Sequence, residues 1–121
     1  MENMKAIAVM SALAQPTRLA VFSLLVRAGT GGMTAGDLAA ELGTPSNTMS
    51  AHLTVLNHAG LTSSRRSGRN IFYAAHPDMI RQLTVFLVRE CCDGCTGVCE
   101  HLQSDLDACK SAGTAPRAGT A

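Results

Sequence analysis

At 121 residues, 46% of them apolar, the chain is long enough for one cored domain and short for two. With no tryptophan and one tyrosine, its core must be built from Leu, Val, Met, Ile and Ala, as in mostly helical domains. The net charge of +1 says less than its placement: no Asp or Glu lies between Leu42 and Pro77, which hold Arg65, Arg66, Arg69, His52, His58 and His76, whereas Glu90, Asp93, Glu100, Asp105 and Asp107 crowd the C-terminal part. The middle of the chain can therefore face a polyanion and the C-terminal part cannot.

The apolar run Ala6–Met10 is shorter than a secretory leader needs, and Glu2 stands where such a leader is basic. Gln15, Thr17 and Arg18 interrupt any membrane span. The expectation is a cytoplasmic protein with no membrane partner, in which five cysteines serve metal or redox chemistry rather than disulfides.

Residues 3–14 read as a helix with Ile7, Met10, Leu13 and Ala14 on one side. Pro16 suits the first turn of a second helix, with Leu19, Phe22 and Val26 on one face, Val21, Leu24 and Leu25 widening it, and Gly29 ending it. Thr34 and Asp37 resemble a capping box for a short third helix near 35–42, closed by Gly43. Thr44 can cap a fourth helix with Pro45 in its first position. On that helix Met49, Leu53 and Leu56 form a core stripe, and Asn47, Ser50, Ala51, Thr54 and His58 fall opposite.

Beyond Gly60 the period changes. Leu61–Arg66 and Asn70–Ala75 read as two short strands of a hairpin around Ser67 and Gly68. Pro77 restarts a helix to about Cys91, apolar nearly all round through Met79, Ile80, Leu83, Val85, Phe86, Leu87 and Val88, which suggests packing against a second subunit. Residues 111–121 have the composition of a disordered tail.

Two short helices joined by a tight Gly-Thr-Pro turn and followed by a basic hairpin make a winged helix-turn-helix: a mostly α fold with a β-hairpin wing, expected as a homodimer. The major groove admits one helix whose outer side chains are small and polar. Ser46, Asn47, Thr48, Ser50, Ala51 and Thr54 are the candidate DNA contacts on that helix, with Asn47 suited to adenine and Ala51 to a thymine methyl. Arg65, Arg66 and Arg69 suit phosphates or the minor groove of double-stranded operator DNA. The plainer alternatives are a solvated arginine loop, Asn47 as a helix cap, and His52 as a structural, hydrogen-bonded histidine. No nucleophile–base constellation, phosphate loop or paired carboxylates point to an enzyme or an organic cofactor.

The runs A-Q-P-T-R-L-A-V-F-S-L-L, D-L-A-A-E-L-G, N-T-M-S-A-H-L-T-V-L-N-H-A-G-L and S-G-R-N-I-F-Y resemble the ArsR/SmtB metalloregulatory repressors over roughly residues 5–90. The resemblance implies a homodimer on a palindromic operator, released by an inducer. Ala51 departs from the family, which often has a polar or charged residue there.

Cys91, Cys92, Cys95 and Cys99 lie within nine residues, and Cys109 stands apart. Neighbouring side chains on a continuous helix point about 100° apart, so Cys91 and Cys92 share an ion only if the chain curls, as Gly94 and Gly97 permit. Soft thiolates select thiophilic ions: trivalent arsenic takes three sulfurs in a pyramid, whereas zinc or cadmium takes four ligands, which the four cysteines, or three with His101, can supply. The family's C-x-C site in the recognition-helix region and its Asp-x-His site on the last helix are both missing, since Asp78 is followed by Met79 and Ile80. The segment E-C-C-D-G-C-T-G-V-C instead resembles the arsenic-responsive subgroup with a vicinal cysteine pair and a later third, which implies Cys91, Cys92 and Cys99 as ligands with Cys95 an addition. Sensing of another thiophilic metal, or thiol oxidation, stays open. The expected layout is residues 1–90 for DNA binding and dimerisation, 91–109 for the inducer, and 110–121 as the tail.

Overall fold

The computed structural model describes residues 1–92 and 98–111, with only the backbone of Cys91, Cys92, Val98, Lys110 and Ser111. Six helices and a small sheet follow in the order α1 (Asn3–Leu13), α2 (Pro16–Ala28), β1 (Met33–Thr34), α3 (Ala35–Leu42), α4 (Ser46–His58), β2 (Thr62–Ser67), β3 (Asn70–Ala75), α5 (Asp78–Cys92) and α6 (Val98–Ser111). The fold is the expected winged helix-turn-helix. Val9, Val21, Leu25, Leu38, Met49, Leu53, Leu56 and Leu61 fill its centre and are fully buried.

Local chemistry sets most boundaries. Pro16 opens α2, and Gln15 Oε1 accepts the Arg18 amide at 2.8 Å. Thr34 Oγ1 accepts the Asp37 amide at 3.1 Å to cap α3, which ends on left-handed Gly43. At the end of α4 the Gly60 amide reaches the Asn57 carbonyl at 3.0 Å and the Leu61 amide reaches Leu56 at 3.1 Å. That paired closure needs a left-handed residue, and Gly60 supplies it at φ +81°. The start of α4 differs from expectation: Pro45, not Thr44, is the flanking residue, with an extended backbone and no side-chain cap. The Thr44 hydroxyl instead donates back to the Leu42 carbonyl.

Two helix faces also differ. On α1 the buried residues are Ala6, Val9 and Ala12, while Met4, Ile7 and Met10 are 71%, 56% and 38% exposed and Ala14 is exposed too. Small alanines let α1 lie close on α2, α4 and α5, which leaves its larger side chains outside the protomer. On α2 the buried face is Val21, Phe22 and Leu25, with Leu19 and Val26 turned outward.

The sheet has order β1-β3-β2, all antiparallel. The two-residue β1, too short to carry a readable alternation, was not expected; it pairs Met33 with Tyr73 and Thr34 with Phe72. Gly32 leads into it at φ +71°, where an added Cβ would stand 2.2 Å from the Tyr73 carbonyl oxygen. The wing is tied to α4 by a hydrogen bond from the Thr62 hydroxyl, buried at the start of β2, to Asn57 Oδ1. On α5, Leu83 is buried and Met79, Ile80, Phe86 and Leu87 pack on the core, while Val85 is exposed.

Within 91–109, α5 ends at Cys92 and α6 runs from Val98, while the stretch expected to curl, around Gly94 and Gly97, lies outside the described residues. Leu102 and Leu106 of α6 and Ile80, Thr84, Val85 and Val88 of α5 line an apolar groove of about 530 Å³. Of the expected tail, Lys110 and Ser111 close α6 and residues 112–121 lie outside the described residues. No described helix is long and apolar enough by itself to cross a membrane.

Candidate nucleic-acid interface and cysteine segment

Because Met49, Leu53 and Leu56 anchor one side of α4, the opposite side is presented outward. Ser46, Asn47, Thr48, Ser50, Ala51 and Thr54 are all exposed there. Two already use part of their hydrogen-bonding capacity. Asn47 Oδ1 accepts the amide of its neighbour Thr48 at 2.9 Å, a contact inside the first turn and not the helix cap weighed against base reading, and its amide NH₂ remains a donor. The Thr54 hydroxyl donates to the Ser50 carbonyl at 3.0 Å, leaving lone pairs to accept.

The wing arginines are exposed but not equivalent. Arg65 Nη2 donates to the Gly31 carbonyl at 3.0 Å, and its guanidinium carbon lies 5.0 Å from the centre of the Phe72 ring. It therefore braces β2 across β3 to the turn before β1. Arg66 and Arg69, at the hairpin tip, have no such tether among the described residues and are the better-placed cations for phosphates.

His52 behaves as the structural histidine expected of it: its Nδ1 lies 3.3 Å from Arg18 Nη1. Sequence reasoning missed Arg18 itself, the Asn57–Thr62 pair and the Gly32 approach. Each joins positions in different elements, and no short-range pattern announces such a contact.

Cys91 and Cys92 are the last residues of α5, Cys95 lies outside the described residues, and Cys99 is the second residue of α6, exposed and disulfide-bonded. Cys109 is an exposed free thiol near the far end of α6. Among the described residues no group of three His, Cys, Asp or Glu side chains stands close enough to share a metal ion.

A family described as a helix-turn-helix domain matches residues 13–65. An uncharacterized HTH-type transcriptional regulator of Methanocaldococcus jannaschii is 34% identical over 79 residues, 65% of this chain and 86% of that protein. Among solved structures, an ArsR-like transcriptional regulator from Rhodococcus sp. RHA1 aligns with TM-score 0.64 and 25% identity, covering 89% of this chain and 92% of that one. The homodimeric winged helix-turn-helix DNA-binding domain of a possible ArsR-family regulator from Mycobacterium bovis aligns with TM-score 0.58 and 28% identity, covering 83% of each. A buried-stripe α4 with a polar outer face, a wing beside it, and these similarities together mean that the chain belongs to the HTH-type transcriptional regulators and shares its fold with solved ArsR-like members.

Proposed function

We propose that the protein is a homodimeric repressor that occupies double-stranded operator DNA through α4 and the wing and is released by trivalent arsenic bound to cysteine thiolates. The observation that carries the inducer reading is chain placement. Cys91 and Cys92 end α5 and Cys99 stands in the first turn of α6, so three cysteine positions lie at two helix termini joined by five residues. That arrangement supports a three-sulfur pyramid from Cys91, Cys92 and Cys99, with Cys95 on the connection. Each arsenite hydroxyl leaves as water as one As–S bond forms, so arsenous acid and three thiols give the tris-thiolate and three waters with no net proton release. The thiols must be reduced for this, as the cytoplasm keeps them.

Dimerisation is supported by the outward Met4, Ile7 and Met10 stripe of α1 and by Val85 on α5, apolar side chains with no partner to bury them within the described protomer. The DNA-binding homodimer from Mycobacterium bovis supports the same assembly here. Two recognition helices must then stand about one DNA turn apart, roughly 34 Å. Release requires the inducer to bind the DNA-free conformation better. An ion that draws the start of α6 toward the end of α5 closes the apolar groove between them and shifts α5, and with it the spacing of the two subunits.

The test is an anisotropy titration of the operator complex with arsenite, antimonite, cadmium, zinc and peroxide. Cys91→Ser, Cys92→Ser and Cys99→Ser are expected to bind DNA like the wild type and to lose arsenite release, while Cys109→Ser keeps it. Arsenite affinity is expected to change little near neutral pH, whereas zinc or cadmium must displace thiol protons and binds more tightly as pH rises. Normal release from all three serine variants refutes the assignment. A second reading, thiol oxidation, is favoured by the disulfide at Cys99; it predicts release by peroxide, reversal by a dithiol, and no arsenite response.

A further inference from the structure

One side chain joins three helices. Arg18 stands in the first turn of α2, held at its own amide by Gln15 Oε1. Its Nε donates to the Ala12 carbonyl at 2.6 Å and its Nη2 reaches the Ser11 carbonyl at 3.5 Å. Those are among the last carbonyls of α1, at the negative end of its dipole, and the Ser11 carbonyl also accepts the Ala14 amide at 3.2 Å. The third branch, Nη1, lies 3.3 Å from Nδ1 of half-buried His52 on α4. A guanidinium only donates, so His52 Nδ1 must accept. An accepting Nδ1 places the imidazole proton on Nε2.

We propose that Arg18 is a positioning residue for DNA reading, clamping the end of α1 to the middle of the recognition helix through neutral, Nε2-protonated His52. This rests on α4 being the DNA-reading helix. His52 lies between Ala51 and Leu53, so the tether fixes the rotation of α4 about its own axis, and with it the direction in which Ser50, Ala51 and Thr54 face. A lysine cannot replace the clamp, since a single ammonium lacks the fork that spans the α1 carbonyls and the imidazole together.

The experiment uses the full chain and the DNA sequence that the wild-type protein enriches from a random library. His52→Leu removes the acceptor and keeps the bulk; it is expected to weaken binding to that sequence about tenfold, the scale of a lost charge-assisted hydrogen bond. Binding to random DNA is expected to stay within about twofold, because phosphate contacts do not depend on the facing of α4. His52→Asn, whose Oδ1 stands where Nδ1 stood, is expected to restore affinity to within about threefold. Equal losses on both DNAs, no loss in His52→Leu, or no rescue by His52→Asn overturns the proposal. Nitrogen NMR of the wild-type imidazole gives a readout independent of folding in the variants: a protonated Nε2 with a bare Nδ1 is expected, and the opposite tautomer overturns it. A wild-type protein that enriches no sequence refutes the DNA-reading role of α4, and the tautomer then tests the tether alone.

Discussion

Replacing Ile7 by Glu separates dimerisation from folding. Ile7 is 56% exposed in the protomer, so a charge there meets water and leaves the monomer intact. Complete burial of such a side chain stabilises by about 1.5–3 kcal/mol, and the half still open on Ile7 is worth about 1–1.5 kcal/mol on that scale. A two-fold interface contains the residue twice, so its removal costs about 2–3 kcal/mol of dimer stability, a roughly 30- to 150-fold rise in the dimer Kd. Desolvating a carboxylate adds to this, which makes the figure a lower bound. Phe86→Glu, the substitution that the all-apolar helix pattern suggests, is the poorer test because Phe86 packs on the core and its loss confounds unfolding with dissociation. Sedimentation equilibrium across a concentration series gives the dimer Kd. Anisotropy on a full operator and on one half-site gives the consequence: Ile7→Glu is expected to lose affinity on the full site and to match the wild-type protomer on the half-site. A folded Ile7→Glu protein with the wild-type dimer Kd refutes the assignment of the α1 stripe to the interface.

Arg66→Ala and Arg69→Ala are each expected to lower the slope of DNA affinity against salt by about one unit on every sequence, measured by anisotropy from low to physiological salt. Arg65→Ala should also lower the melting temperature, because it loses the Gly31 carbonyl and the Phe72 ring; an unchanged melting temperature refutes the bracing role. Gly32→Ala forces an alanine into a backbone region essentially confined to glycine, with its Cβ against the Tyr73 carbonyl, and is expected to cost about 3 kcal/mol or more by urea denaturation. The Arg81 side chain first, and then Gln82, hold the Asp78 carboxyl below its ordinary pKa by hydrogen bonding. A carboxyl lowered in the folded state stabilises above its unfolded pKa and loses that contribution as pH falls through the folded value. Asp78→Asn is therefore expected to flatten the acid limb of the stability profile by a small amount and to leave neutral-pH DNA binding unchanged.

The parts of the fold that were legible in the sequence are those fixed by local chemistry. Pro16, Thr34, Gly43 and Gly60 act within one turn of themselves, and their helix ends fall where a short-range reading puts them. The stripe Met49, Leu53 and Leu56 was also legible, because α4 is packed along one side and polar along the other. Its exposed face contains every DNA contact expected on the helix, although nothing local revealed that the Asn47 oxygen serves the Thr48 amide. At the turn before α4, Thr44 and Pro45 are both plausible flanking residues, and only the tertiary path of the chain selects Pro45. The helix α6 was hidden because Gly94 and Gly97 and the cysteines directed attention to a loop, while the 3.6-residue period through Leu102 and Leu106 is carried by only two large side chains.

The misplaced faces of α1 and α2 have one physical cause. Hydrophobic periodicity records that a face leaves water without recording what covers it, and a subunit interface has the same transfer free energy per area as a core. In α1 the alanines at 6 and 12 and the valine at 9 take the intramolecular side because the neighbouring helices lie close, while the larger Met4, Ile7 and Met10 turn outward. A reading that ranks residues by hydrophobicity therefore assigns the strongest side chains to the core and the alanines to the outside. The inversion is informative. A monomer whose large apolar residues point outward from its first helix, while small ones fill the inside, exposes surface that solubility selects against unless another chain buries it. Two identical stripes related by a two-fold axis satisfy that requirement without a second gene product. Arg18 binds the end of this same helix to His52 on α4. The surface on which the subunits are proposed to meet and the surface proposed to read DNA are thus two ends of one tethered unit, and a change in how the α1 helices meet cannot leave the recognition helices where they were.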